Sequence, residues 1–275
     1  LFPNPERISR FGNVSVTDLT YGDIKRLSRR FPMFVSSANT AIAASLRGKA
    51  PRPLQGHKIM IDPGHGGRDP GAIGQTGLQE KAVVLDVSLE LARQLRDWGA
   101  DVRLTRETDR QVAGPDAPKR EDLQARVDLA NNWPAEIFIS MHANANNNRD
   151  VKGTEAYVAR NASDASKRLA TLMHQRMVDD LGLPDRRVLK SDFFVIKNTS
   201  MPGTLMEIAY LSNSEEEAKM ADPDFRKRAA TAMAEGVKEY FTTPASGEIP
   251  EPGEPEFQPE PDELASYEPQ MYLVS

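Results

Sequence analysis

From His57 onward the chain alternates short β-prone apolar runs with longer stretches of helical period, and this alternation restricts the fold more than any other feature. Residues 58–61 read as a strand. In residues 80–98 the apolar Val84, Val87, Leu91 and Leu95 recur at helical spacing, and Gly99 follows where a helix would stop. Residues 101–105 read as a strand. Residues 122–132 read as a helix closed by Asn131, Asn132 and Pro134, and residues 136–141 as an apolar strand covered on both faces. A strand over 154–158 precedes a helix over 163–181, whose Leu169, Leu172, Met173, Met177 and Leu181 share one face before Gly182. Strands over 193–196 and 204–210 and a helix over 223–241 complete the series. Such a pattern predicts an α/β domain, a central sheet with helices on both faces.

The flanks differ in character. Residues 1–55 hold a possible short strand at 13–19 and a basic helix at 21–30. The linker-like stretch 48–56 carries Pro51 and Pro53. They read equally well as the remnant of an upstream module or as an arm packed on the main domain. From Pro244 to Ser275 there are eight acidic residues, seven prolines and no Lys or Arg. That composition predicts a stiff, solvated, disordered tail. The expected organisation is therefore an N-terminal segment at 1–55, a catalytic domain at 56–242 and an acidic tail at 243–275.

Removing the tail's eight negative charges from the net −5 leaves +3 for the rest. A mildly basic body suits an anionic polymer and is too weakly charged to argue for nucleic acid. With no cysteine, disulfides, thiolate metal sites and a thiol nucleophile are excluded. No stretch approaches the length of a membrane span. The chain starts at Leu1, so a processed product that has lost a signal peptide is expected.

Any metal must be held by His, Asp or Glu, and the only histidines are His57, His65, His142 and His174. His65 lies in Ile59-Met60-Ile61-Asp62-Pro63-Gly64-His65-Gly66-Gly67-Arg68-Asp69-Pro70-Gly71-Ala72, a strand that breaks into a glycine-rich loop. His142 lies in Ser140-Met141-His142-Ala143-Asn144, where another strand gives way to a polar loop. The carboxyl ends of parallel strands lie side by side, so the two imidazoles can converge. Taken singly, each is as well explained as a turn or strand-end histidine. Glu80 opens the helix after the glycine loop, where the helix dipole alone favours a carboxylate, but where it would also stand near His65. Two imidazoles and a carboxylate make a catalytic zinc shell with one position open. Glu207 sits in the otherwise uncharged strand Thr204-Leu205-Met206-Glu207-Ile208-Ala209-Tyr210. A buried carboxylate there is either a core ion pair, with Arg106 or Arg126 as partner, or a general base with raised proton affinity. His57 and His174 read as surface residues, and Arg126 and Asn131 as residues that orient the fold. The glycine loop lacks the Gly-Lys-Ser/Thr ending of a phosphate-binding loop, and Ser140 has no triad around it.

Taken together, these blocks resemble the zinc-dependent N-acetylmuramoyl-L-alanine amidases, the autolysin-type cell-wall hydrolases. The resemblance runs from the His65 loop through Glu80-Lys81, Thr105-Arg106 with Asp109, Arg126 to Asn131 and the His142 block to Met206-Glu207-Ile208-Ala209-Tyr210-Leu211-Ser212-Asn213, in family order over roughly residues 57–242. It implies a single twisted, mostly parallel (mixed) sheet of six strands. It implies one zinc ion (Zn2+) held by His65, Glu80 and His142, with Glu207 as the catalytic carboxylate. The implied substrate is peptidoglycan, cut between N-acetylmuramic acid and the L-alanine of the stem peptide, outside the cytoplasm. Regulated members carry a long inhibitory helix after the second histidine block. Here only a short link separates His142 from the strand at Thr154, so no such plug is expected, and any regulatory partner is unknown. A non-catalytic wall-binding or activator protein, a zinc hydrolase of another amide bond and a purely structural domain are the alternatives.

Overall fold

The computed structural model describes residues 52–244 and 249–255. The expectations for residues 1–51, and for the tail at 245–248 and 256–275, lie outside the described residues.

Twelve elements follow in order: β1 (Lys58–Pro63), α1 (Glu80–Asp97), β2 (Asp101–Leu104), α2 (Lys119–Asn132), β3 (Ile137–Asn144), β4 (Thr154–Val158), α3 (Asp164–Leu181), β5 (Asp185–Lys190), α4 (Phe194–Asn198), β6 (Gly203–Tyr210), α5 (Ser214–Ala221) and α6 (Pro223–Thr242). The strands form one six-stranded sheet in the order β2-β1-β3-β6-β4-β5. All neighbours are parallel except β4 and β6, which run antiparallel. The α/β expectation and the mixed six-stranded sheet are both met.

Alternation along the strands builds two cores. Ile59, Ile61, Ile137, Ile139 and Met141 face one side, where α1, α3 and α6 pack through residues such as Val87, Leu91, Met173 and Met233. Met60, Phe138 and Leu205 face the other, against Val127 and Trp133 at α2 and Val195 and Ile196 at α4. The central strands are therefore covered on both faces, as parallel strands must be. Local signals set the helix ends. The Ser163 side chain accepts from Ser166 N at the start of α3, Gly182 (φ 62) ends it in the left-handed region, and Asp222 caps α6 ahead of Pro223.

The structure corrects four expectations. Residues 193–196, expected as a strand, are instead the N-cap Phe193 and the first three residues of the short helix α4. The missing strand is β5, whose polar sequence Asp-Arg-Arg-Val-Leu-Lys hides it. The last part of the linker-like stretch belongs to the domain: Leu54 is buried and its N–H donates to Trp98 O at 3.0 Å. Part of the tail meets the domain: Gly253 bridges Leu189 of β5 and Pro252 is buried. Residues 145–153, between β3 and β4, contain no helix.

Candidate active site

The site forms where β1, β3 and β6 end together. Past Pro63 the chain turns sharply through Gly64 and His65, the latter at φ 58. Two glycines are needed here because the side chains of His142 and Glu80 occupy the space a Cβ would take. At Gly64 a Cβ would stand 2.5 Å from His142 Nε2, and at Gly71 (φ +65) it would stand 2.5 Å from Glu80 Oε2.

His65, Glu80 and His142 converge, each offering one donor atom within 4.8 Å of the others. Glu80 Oε1 lies 3.1 Å from His65 Nε2 and 2.9 Å from His142 Nδ1. The two rings stand 4.9 Å apart at 78°. The backbone fixes Glu80: Ala72 N donates to Oε2 at 2.8 Å and Ala143 N to Oε1 at 2.9 Å. Asp69 Oδ2 sits 2.8 Å from His65 Nδ1, which turns Nε2 inward. That Nε2 is buried and, although 3.1 Å from Glu80 Oε1, has no hydrogen-bond partner among the described residues. Burial pulls the His65 imidazole down, but Glu80 and then Asp69 outweigh it and hold the group at about 10. Burial opposes ionisation of Glu80, and the two imidazoles override it and push the carboxyl below its ordinary range. His142 is moved down by burial, against the pull of Glu80.

Glu207 pairs in register with His142 on β3, so it joins the same cleft from β6. It is 6% exposed, and its Oε2 has no hydrogen-bond partner among the described residues. Burial raises its proton affinity well above the ordinary value, Glu80 and Glu155 add to the effect, and His65 opposes it. The core ion pair is not what is seen. Arg106 donates instead to Pro63 O at 3.0 Å and Gly64 O at 2.6 Å. Arg126 bonds Asp62, Asp122, Pro63 O and His65 O. Both arginines thus clamp the carbonyls of the His65 turn. Asn131 bridges to the backbone of Asn198 and Ser200.

The other histidines stay out of the cleft. His57 stacks on Phe241 at 4.0 Å. His174, expected at the surface, is buried with Nε2 2.7 Å from Asp185 Oδ1, because β5 packs beside α3. Three supporting residues were not anticipated: Asp69, Asp62 and Glu155. Asp69 follows His65 by four positions, which is the one sequence signal for it. Asp62 is buried and accepts from Thr105 Oγ1 at 2.6 Å, Ser140 Oγ at 2.9 Å and Arg126 at 2.9 Å. Ser140 is therefore a structural donor and no nucleophile. The cleft encloses about 410 Å³, with Phe193, Phe194, Val195 and Leu205 as its apolar wall and Arg68 and Lys119 also lining it.

The model of the N-acetylmuramoyl-L-alanine amidase family matches residues 59–239, a span that runs from the second residue of β1 into α6 and includes His65, Glu80, His142 and Glu207. The chain belongs to that family. The chain is 35% identical over 216 residues to the N-acetylmuramoyl-L-alanine amidase LytC of Bacillus subtilis, covering 78% of this chain but only 42% of LytC. It is 33% identical to the germination-specific N-acetylmuramoyl-L-alanine amidase of the same organism, covering 72% of this chain and 85% of that protein. Among solved structures, the catalytic domain of the amidase CwlV from Bacillus (Paenibacillus) polymyxa superimposes with a TM-score of 0.60 at 36% identity, over 67% of this chain and 97% of that one. The chain thus spans less than half the length of LytC, and its residues 249–255 lie beyond the family match.

Proposed function

We propose that this amidase hydrolyses the amide between the lactyl group of N-acetylmuramic acid and the L-alanine of the stem peptide in peptidoglycan, outside the cytoplasm. One observation carries the reading: His65, Glu80 and the half-buried His142 converge in a cleft beside the buried carboxylate of Glu207, which has no cationic partner among the described residues. The donors fit a zinc ion, since two imidazole nitrogens and a carboxylate oxygen meet where His65 Nε2 is buried and unbonded. His65, Glu80 and His142 would hold the ion. Bound there, it would polarise the amide carbonyl and acidify a water molecule.

The chain's own groups do the rest. Asp69 holds His65 Nδ1 so that Nε2 faces inward, and the N–H groups of Ala72 and Ala143 hold Glu80. Glu207 Oε2 takes a proton from water as the water oxygen bonds to the carbonyl carbon. As the carbon–nitrogen bond breaks, Glu207 returns that proton to the leaving nitrogen of L-alanine. A carboxyl of raised proton affinity suits both transfers. No described helix is long and apolar enough to cross a membrane.

Glu207→Gln keeps the shape of the protonated acid and removes its proton chemistry. It should bind zinc and wall as the parent does while hydrolysis falls about 10²–10⁴-fold. Full wall-lytic activity in this variant would defeat the assignment.

A further inference from the structure

Residues 249–255 lie outside the family match and beyond α6. They nevertheless pair with the sheet. Gly253 N donates to Val188 O and Lys190 N donates to Gly253 O, each at 2.8 Å, in a parallel bridge opposite Leu189. β5 is an edge strand, and such an edge offers unpaired N–H and C=O groups to any extended segment. Pro252 is buried against the domain. The charges also match. Glu251 reaches Lys167 Nζ at 2.8 Å and Lys190 Nζ at 3.2 Å, and Glu254 reaches Arg160 at 2.7 Å. An acidic segment therefore lies on a basic face built from β5, α3 and the link between β4 and α3.

This edge leads directly into the cleft. After Lys190 come Ser191, whose N–H donates to Val158 O at 2.9 Å, and Asp192. Asp192 accepts from Arg160 N at 3.0 Å and pairs with Lys197 of α4 at 2.9 Å. Phe193, Phe194 and Val195 follow as the apolar wall of the cleft. Arg160 thus touches the docked segment through Glu254 and the base of the wall through Asp192.

We propose that residues 249–255 form an intramolecular strap on the β5 edge that holds the wall of Phe193, Phe194 and Val195 in place for the substrate. The occupant of the edge is the chain's own Glu251-Pro252-Gly253-Glu254. The effect on substrate rests on the amidase reading; the docking does not. Its ion pairs involve exposed carboxylates and are individually weak, so the strap is reversible and sensitive to salt.

The test compares the full chain with its Glu251→Lys/Glu254→Lys double variant, which sets lysines against Arg160, Lys167 and Lys190. Both altered positions are exposed, so the fold is spared. Gly253→Ala serves as the control, because its Cβ would meet Leu189 Cδ2 at an ordinary 3.4 Å. Amide exchange is followed at Lys190, Gly253, Ser191 and Lys197, whose N–H groups are all hydrogen-bonded, and KM and kcat are measured on a soluble muramoyl peptide. In the double variant, exchange at all four amides should rise at least about tenfold. KM should rise about three- to tenfold with kcat within about twofold of the parent. The parent in about 1 M salt, where charges are screened beyond ~3 Å, should show the same faster exchange. The control should match the parent. Unchanged exchange at Lys190 and Gly253 overturns the strap, and faster exchange there alone, with Ser191, Lys197 and KM unmoved, overturns its hold on the wall. A parent that dimerises through this segment by sedimentation overturns the intramolecular assignment. A parent that cleaves no muramoyl peptide refutes the amidase reading, while the exchange data still judge the strap.

Discussion

Glu207 and Glu155 face each other in register across the antiparallel pair β6 and β4. Their surroundings are opposite. Glu155 accepts from Tyr157 Oη at 2.8 Å, Tyr210 Oη at 2.5 Å, Asn144 Nδ2 at 2.9 Å and Arg186 Nε at 2.7 Å. Glu207 Oε2 has no such partner, and after burial and Glu80 it is Glu155 that raises its proton affinity further. Like charges held close cannot both ionise cheaply.

Glu155→Gln should therefore make Glu207 more acidic. Below its pKa Glu207 is protonated and cannot act as a base, so a lower pKa extends activity toward acid. The acid limb of the kcat/KM profile should shift to lower pH by about half a unit to one unit. An unmoved or alkaline-shifted limb would contradict the coupling. The same variant should lose some stability, since Arg186 gives up a charged partner.

Asp69 sets which nitrogen of His65 faces the centre. Asp69→Asn should weaken zinc binding about 10–100-fold, as expected when an outer partner of a ligand is lost. Competition with a chelator at neutral pH measures it. Chelation of the parent should abolish hydrolysis, and added zinc should restore it. The apolar core of β1, β3 and α1 should keep the metal-free protein folded.

Asp62 and Arg126 anchor the turn beneath the site, both almost fully buried. Burial opposes ionisation of Asp62, but Arg126, then Thr105 and Ser140, hold its pKa below the ordinary 3.8. A depressed carboxyl stabilises the fold above its unfolded value and loses that contribution as pH falls through the folded value. Asp62→Ala leaves Arg126 with Asp122 as its carboxylate partner but removes the acceptor of Thr105, Ser140 and one guanidinium N–H, and should cost about 1–3 kcal/mol at neutral pH. Urea titration at several pH values should show the gap between parent and variant closing below pH 3.8.

Much of this was readable in the chain because strand ends and loops announce themselves. The apolar run before Asp62 and the glycines around His65 marked a strand breaking into a site, and a carboxylate in an uncharged strand marked Glu207. What escaped depends on contacts remote in sequence. β5 carries three charged residues before Val188 and survives as a strand because one side is solvated. The β-prone Phe193-Phe194-Val195-Ile196 folds as a helical turn that puts rings toward the cleft and Val195 and Ile196 into the core. Glu155 and Asp62 look like ordinary strand carboxylates until their neighbours on β6, β3 and α2 are placed beside them. His174 looks like a surface residue in the sequence because β5, the strand that buries it, carries too polar a sequence to stand out.

The central claim is that one amide bond is opened. Purified peptidoglycan should be digested with the zinc-loaded chain and the released material analysed by mass. The account predicts intact stem peptides with a free L-alanine amine, left by the parent and absent with Glu207→Gln. Fragments cut within the peptide or between sugars, with the lactyl–alanine bond intact, would contradict it.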